Sequence, residues 1–319
     1  MKVHVQEADL PTYDDPILIH KESDKNCFQT GDLALLLDRK LRRYMLTLAD
    51  SETFHSHLGR LNHAQLIGQH VGGWYRTDKG HTMLAVRPTL GDFVRDMPRG
   101  PQIIYPKDIG NIINFADIFP GSTVIEGGLG SGALTSALLR AVGDHGRVIT
   151  YEIDESVLPK AMRNIEKVSS STSNLEVKIG DIYQGISERE VDRIVLDVPE
   201  PWQAVGTIGD SLVMGGIMLS FLPTILQVHR LVGALEEDGR FQMMESMETL
   251  LRTWHVTERS VRPSHRMVAH SGFLTTAVRC EPRPRARPPT DELTDQRKIE
   301  ADQDTAGQDS EESDAGRDG

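Results

Sequence analysis

Val124-Ile-Glu-Gly-Gly-Leu-Gly-Ser-Gly-Ala-Leu134 decides the fold class. Apolar strand-forming residues run into a glycine turn, and a helix-forming stretch follows, so the segment reads strand, turn, helix. Glycine lets the backbone approach a ligand closely, and the N-terminus of the following helix faces that ligand. Gly128, Gly130 and Gly132, with Ala133 behind them, fit a permissive dinucleotide-type fingerprint, and the acid Glu152 stands about twenty residues further on. On these residues alone the turn accepts either of two nucleotide-like cofactors, a nicotinamide dinucleotide or S-adenosylmethionine. A tight turn with a purely structural purpose competes with both.

Outward from this stretch, strand-like and helical runs alternate. Thr123–Glu126, Arg147–Glu152, Leu175–Ile179, Arg193–Asp197 and Ile217–Phe221 read as strands. Gly132–Val142, Glu155–Val168 and Thr224–Leu235 read as helices, and Gly272–Val278 as a last strand. Alternation of this kind indicates an α/β fold, a doubly wound sheet with helices on both faces. After Phe241 the pattern is less regular and leaves the pairing open.

Upstream, the apolar runs Gly31–Leu37, Tyr44–Leu48, Gly68–Gly72 and Met83–Pro88 are short and broken by glycine, which predicts a small β-rich domain. Leu90–Arg99 reads as a helical link. The expected organisation is an extension over 1–27, a β-rich domain with its linker over 28–98, a cofactor-binding domain over 99–280, and a tail over 281–319. The tail holds twelve Asp/Glu, six Lys/Arg and few apolar residues, so disorder is expected there.

The chain of 319 residues carries a formal charge of -12, half of it from that tail. An acidic body argues mildly against a nucleic-acid binder, so any such surface has to be local. No run of about 18 apolar residues is present, which predicts no membrane span. The first residues lack the apolar stretch of a signal peptide, which predicts a cytoplasmic protein. Cys27 and Cys280 stand alone and are expected to be reduced structural thiols. His55, His57 and His63 have no thiolates nearby and no zinc-protease pattern, so no metal is expected.

Several residues can carry chemistry. Glu152 ends a strand, where a carboxylate can accept both hydroxyls of a ribose. Asp181, in Gly180-Asp-Ile, ends another and can accept from the exocyclic amine of a cofactor's adenine; a loop acid without a ligand competes with that reading. Asp197 opens Asp197-Val-Pro-Glu-Pro-Trp202, where two prolines stiffen the backbone. A stiff loop can hold a carboxylate against the Watson–Crick edge of a base, with Trp202 packing nearby or stacking. Tyr105 precedes Pro106 and can cover a cofactor, stack on a flipped base, or simply pack. Arg39–Tyr44, and Arg262–Arg266 with His270, can hold phosphates or form a solvated face. A methyltransferase acting on nucleic acid accommodates the glycine turn and the Asp197 loop together.

These residues bring the chain close to one family. It resembles the TrmI-type tRNA (adenine(58)-N1)-methyltransferases, in particular their actinobacterial members. The resemblance spans about Phe28 to Val278. It rests on Tyr105-Pro-Lys-Asp108, Glu126–Leu134, Tyr151-Glu152, Leu196–Trp202, Leu222–Val228 and Arg262–Phe273 in that order. It implies a Rossmann-like class I methyltransferase domain behind a small N-terminal β-domain, assembled as a homotetramer. The implied reaction is methylation of N1 of adenine 58 in the tRNA T-loop, with S-adenosyl-L-methionine as cofactor. By motif, Gly128, Gly130, Ser131, Gly132, Ala133, Leu134, Glu152, Asp181 and Asp197 contact the cofactor. Asp197 is also the implied catalytic carboxylate, and Tyr105 lines the base pocket.

Three departures from the family pattern stand out. Gly127-Gly128-Leu129 replaces Ala-Gly-Thr, Phe221 and Thr224 replace the Tyr and Asn of Tyr-x-Pro-Asn, and His270-Ser-Gly-Phe273 replaces His-Thr-Ala-Phe. Loss of the hydroxyl and the amide touches base contacts more than the cofactor site. Three rival readings remain. A nicotinamide oxidoreductase leaves Asp197–Trp202 unexplained. A non-catalytic tRNA-binding subunit of a methyltransferase assembly usually loses the glycine turn and the acids kept here. A methyltransferase acting on a neighbouring adenine is compatible with every residue named.

Overall fold

The protein is described here by a computed structural model covering residues 26–97, 103–169, 171–267, 269–282 and 284. The expected N-terminal extension, apart from its last two residues, and almost all of the acidic tail lie outside the described residues.

The N-terminal part comprises β1 (Leu33–Leu37), β2 (Arg43–Thr47), β3 (Thr53–Ser56), β4 (Gly59–Asn62), β5 (Trp74–Arg76) and β6 (Thr82–Val86). Four of these strands form an antiparallel sheet in the order β2-β1-β6-β5, while β3 and β4 pair as a hairpin. Phe28, Leu36, Leu48, Leu61, Leu66 and Met83 make its own apolar core. The expected strand at Gly68–Gly72 is absent. Gly68 and Gly72 have φ of +79° and +89°, left-handed values that end extended pairing, and the strand falls instead on Trp74–Arg76. The β3–β4 hairpin is hard to read from sequence because its strands are four residues long and mostly polar.

Helix α1 (Leu90–Asp96) starts at Thr89, whose side chain and that of Asp92 cap each other's backbone. It buries Phe93 and Val94 in the core of the following domain. Helix α2 (Pro106–Phe115) begins with proline at its first turn, a favoured start that the apolar run Ile103-Ile104 obscures in the sequence.

Then come β7 (Thr123–Gly127), α3 (Ala133–Val142), β8 (Arg147–Glu152), α4 (Leu158–Glu166), β9 (Leu175–Ile179), β10 (Val191–Leu196), α5 (Val205–Ser211), β11 (Leu212–Leu222) and α6 (Ile225–Asp238). The chain ends its described course with β12 (Phe241–Glu248), the hairpin β13 (Trp254–Thr257) and β14 (Ser260–Pro263), and β15 (Phe273–Arg279). Seven of these strands form one sheet in the order β12-β15-β11-β10-β7-β8-β9. β9, β8, β7, β10 and β11 run parallel, and β15 inserts antiparallel between β11 and β12. This resolves the pairing left open after Phe241.

One apolar cluster packs α1, α2, α3 and α4 against the sheet, and another packs α5 and α6 against its other face. Burial on both faces accounts for the near-continuous apolar central strands. Strand order reverses between β7 and β10, which opens a crevice at their carboxyl ends.

Candidate active site

The crevice is a cleft of about 580 Å3, lined at the strand ends by Gly128, Gly130, Glu152, Asp181, Asp197 and Pro199 among others. The glycine turn and the Asp197 loop are joined by backbone. Asp197 N–H donates to the Gly127 carbonyl at 2.8 Å, and Gly128 N–H to the Tyr151 carbonyl at 2.9 Å. Gly128 has φ +94°, and a Cβ there would stand 2.5 Å from the Asp197 carbonyl oxygen. Only glycine fits where the two loops meet.

Glu152, the last residue of β8, is held by both oxygens. Oε2 accepts from Gly130 N–H at 3.1 Å and Oε1 from Asp154 N–H at 2.9 Å. A carboxylate has about four lone-pair directions, so capacity remains on both oxygens for a pair of hydroxyls. Asp181 follows β9 and caps a short 3₁₀ turn by accepting from Tyr183 N–H at 2.9 Å.

Asp197 follows β10. Its side chain is open to the cleft on one side, while protein crowds its other sides. That crowding withdraws it from bulk water and pushes its carboxyl up to about 6. Its loop is braced from two directions. Gln227 of α6 donates to the Pro199 carbonyl at 2.9 Å, and Glu200 N–H donates to the Tyr183 hydroxyl at 2.9 Å. Trp202 packs under the Arg230 guanidinium, 4.4 Å from its ring centre, so it supports the loop from behind.

Ser131, Ala133 and Leu134 are buried and do not line the cleft. They surround the start of α3, and Asn164 of α4 donates to the Ser131 carbonyl at 3.0 Å. Tyr105 also lies off this cleft, at the start of α2, on a separate open hollow with Arg95, Lys107, Leu251, Arg266 and Met267. Next to it lies a buried knot. Lys107 Nζ donates to Asp108 Oδ1 at 2.7 Å, to the Thr249 carbonyl at 2.8 Å and to Ser271 Oγ at 2.5 Å. Ser271 in turn donates to Asp108 Oδ2 at 2.6 Å.

Glu126, near the end of β7 and just before the glycine turn, is a buried acid behind the cleft that motif reading does not single out. It is fully buried, and Thr135 Oγ1 donates to its Oε2 at 2.7 Å while Oε1 lacks a hydrogen-bond partner. Burial, with the negative Asp197 and Glu152 nearby, pushes its carboxyl up to about 8. An acid inside a buried apolar strand is the available signal.

The departures also find their places. Thr224 caps α6 and its Oγ1 donates to Gln227 Oε1 at 2.7 Å, orienting the amide that braces Pro199. Phe221 and Gly272 are one feature: a Cβ on Gly272 would meet the Phe221 ring at 2.4 Å. His270 lies on Phe273 and bonds Glu248 at 2.7 Å and the Pro223 carbonyl at 2.9 Å, and both partners raise its pKa.

Of the two basic clusters, the first is partly neutralised, since Arg42 pairs with Asp38 at 2.6 Å and Arg43 with Asp92 at 2.7 Å. His63 is buried and its Nδ1 accepts from Ala49 N–H. Among the described residues no group of three or more His, Cys, Asp or Glu is placed to hold a metal ion, and no helix is long and apolar enough to cross a membrane. Both cysteines are free thiols.

The family model for the tRNA methyltransferase complex GCD14 subunit matches residues 82–306, and the TrmI-like N-terminal model matches 27–81. The chain belongs to this family. A Methanocaldococcus jannaschii relative, the tRNA (adenine(57)-N(1)/adenine(58)-N(1))-methyltransferase TrmI, is 36% identical over 275 residues, covering 78% of this chain and 95% of its own. A Thermus thermophilus relative, the tRNA (adenine(58)-N(1))-methyltransferase TrmI, is 34% identical, covering 77% and 96%. The solved tRNA (m1A58) methyltransferase TrmI of Aquifex aeolicus has a TM-score of 0.71 at 27% identity, over 80% of this chain and 100% of that one. A SAM-dependent O-methyltransferase from Thermotoga maritima reaches 0.79 at 31% identity, over 83% and 99%. The sheet is that of class I methyltransferases with an N-terminal β-domain, which removes the nicotinamide reading.

Proposed function

We infer that this member of the family is a tRNA methyltransferase that transfers a methyl group from S-adenosyl-L-methionine to N1 of adenine 58 in the T-loop. The observation that carries the reading is Asp197, a carboxylate raised to about 6, on a braced loop against the glycine turn at the switch point of the sheet. Retention of that acid with Glu152 and Asp181 on one cleft argues against a non-catalytic subunit.

The cofactor supplies an electrophilic methyl group when bound. Glu152 would accept its ribose hydroxyls and Asp181 its adenine amine, while the backbone at Gly128 and Gly130 lets it lie close. Adenine N1 already has an in-plane lone pair, so alignment with the methyl group is the main task. Base pairing hides N1, and the adenine therefore leaves its stack to enter the site. Asp197 accepts a hydrogen bond from the exocyclic amine. As positive charge develops on the ring, the carboxylate stabilises it or takes the proton. Tyr105, on its neighbouring hollow, serves the RNA side.

Methyl transfer from labelled cofactor to unmodified tRNA tests this, with the product nucleoside identified and adenine 58 changed in a control transcript. N1-methyladenosine that disappears with the change supports the assignment, and absence of cofactor binding refutes it. A second reading, action on adenine 57 as well, is favoured by the dual adenine 57 and 58 specificity in the name of the M. jannaschii relative. The same control distinguishes it, because product would persist.

The β13–β14 hairpin carries Trp254, Val256 and Val261 exposed on one face, with His255 and Arg262 on the other. An uncovered apolar face of this kind supports self-association into the homotetramer, and sedimentation of the purified chain measures it. Separate apolar cores support a β-rich part and a cofactor-binding part, with α1, inside the expected 28–98, packed in the core of the second. A tRNA substrate supports the expectation of a cytoplasmic enzyme.

A further inference from the structure

We propose that the open hollow beside Tyr105 is a second RNA subsite, which binds one nucleotide of the looped strand next to the acceptor adenine. Arg266, helped by Arg95, holds a backbone phosphate, and Tyr105 with Leu251 and Met267 takes the base. The proposal rests on the tRNA methyltransferase reading above and adds a site to it.

Charge supplies the first argument. The chain is acidic overall at -12, yet the segment from Arg252 to Arg266 carries four arginines and one acid, Glu258. Several arginines elsewhere are matched by acids, Arg42 with Asp38, Arg147 with Glu176, Arg193 with Asp117 and Arg240 with Asp210, while Arg189 bonds a carbonyl and Arg230 stacks on Trp202. Among the described residues, Arg252, Arg259, Arg262 and Arg266 have no salt-bridge partner. The local basic footprint that an acidic nucleic-acid binder requires is therefore here. Within the hollow, Lys107 is neutralised by Asp108, and Arg95 shares Asp92 with Arg43. Arg266 is the guanidinium left for an anion.

Shape and rigidity supply the second. The hollow encloses about 250 Å3, and its apolar wall is accessible: Leu251 is 54% and Met267 42% exposed beside the half-buried Tyr105 ring. Bases of looped RNA stack on such surfaces, whereas paired bases cannot reach them. The Lys107–Asp108–Ser271 knot holds the start of α2 to the segment carrying Arg266, and Asn111 ties α2 to Thr249 Oγ1 at 2.8 Å.

Connection to the reacting centre supplies the third. From Ser271 the frame passes to His270, which bonds the Pro223 carbonyl; Thr224 then orients Gln227, which holds the Asp197 loop at Pro199. One braced rim thus joins the hollow to the carboxylate, and a strand can lie along it.

The test measures tRNA binding and methylation by the full chain across a salt series, for wild type, Arg266→Ala, Arg266→Lys and the control Arg147→Ala at the opposite end of β8. Loss of one phosphate contact lowers the slope of log affinity against log salt by about one and weakens binding roughly fivefold at moderate salt. The loss should appear in KM more than in kcat, with cofactor affinity unchanged. Arg266→Lys should restore most of the slope, and Arg147→Ala should match wild type. An unchanged slope in Arg266→Ala, while wild type methylates tRNA normally, overturns the subsite alone. A change in sedimenting mass that accounts for the weaker binding assigns the segment to contact between copies and also overturns it. A wild type that neither binds nor methylates tRNA overturns the functional reading and the subsite together.

Discussion

Glu126→Gln isolates the energetic consequence of one buried acid beneath the glycine turn. In the folded chain this carboxyl titrates near 8, against 4.5 for an ordinary glutamate. Below 4.5 both folded and unfolded chains hold the proton, so the side chain carries no ionisation penalty. Between 4.5 and 8 the unfolded chain has lost the proton while the folded chain keeps it. Stability therefore falls as pH rises through this window, by about 1.4 kcal/mol for each unit. The whole window amounts to something on the order of 5 kcal/mol, and about 3 kcal/mol has accrued near pH 7. Glutamine has nearly the same shape, keeps a carbonyl oxygen for the Thr135 hydroxyl, and does not titrate.

The variant's stability relative to wild type should therefore climb across that window and level off above it. The assay is urea unfolding of both cofactor-free proteins at matched protein concentration, at several pH values from 4.5 to beyond 8. A buried amide has its own hydrogen-bonding cost, which moves the whole difference up or down without tilting it. The raised Asp197 carboxyl is common to both proteins and cancels. Stability differences that run flat with pH would refute the account of Glu126.

Asp197→Asn should lower single-turnover methyl transfer by roughly a hundred- to a thousandfold, because a fixed negative charge facing the developing positive charge is lost; tRNA affinity should hardly move. In wild type, transfer should fall as pH drops through about 6, where Asp197 gains a proton and stops accepting, and the variant should lack that limb. Gly128→Ala introduces a Cβ 2.5 Å from the Asp197 carbonyl at a φ of +94°, so cofactor affinity by calorimetry should weaken roughly ten- to a hundredfold. Lys107→Met leaves Asp108, 1% exposed, without its cation, and urea unfolding should register a loss of about 3–5 kcal/mol.

Much of the cofactor side was legible in the sequence because it depends on local spacing. A strand entering Gly128–Gly132 and leaving as a helix is a property of neighbouring φ values, and Glu152, Asp181 and Asp197 stand at or just after strand ends that periodicity locates. The cleft brings those acids together. The same reasoning places a strand at Gly68–Gly72, where two left-handed glycines forbid it, and passes over α2, whose start is a proline after an apolar run.

By itself, then, the amino-acid order determined a doubly wound sheet with a glycine turn facing strand-end acids, because turn geometry and side-chain periodicity act over a few residues. The tertiary structure alone decided what those residues experience. The order β12-β15-β11 is set by pairing across the sheet. Ser271 reaches Asp108 from 163 residues away. Phe221 fills the space of a missing Cβ on Gly272, and Thr224 steadies the Asp197 loop through Gln227. Tyr105 lines a hollow apart from the cleft. The burial that raises the Glu126 carboxyl, and the crowding around the cleft-facing Asp197, sum over atoms from distant segments, so no local window of sequence contains them.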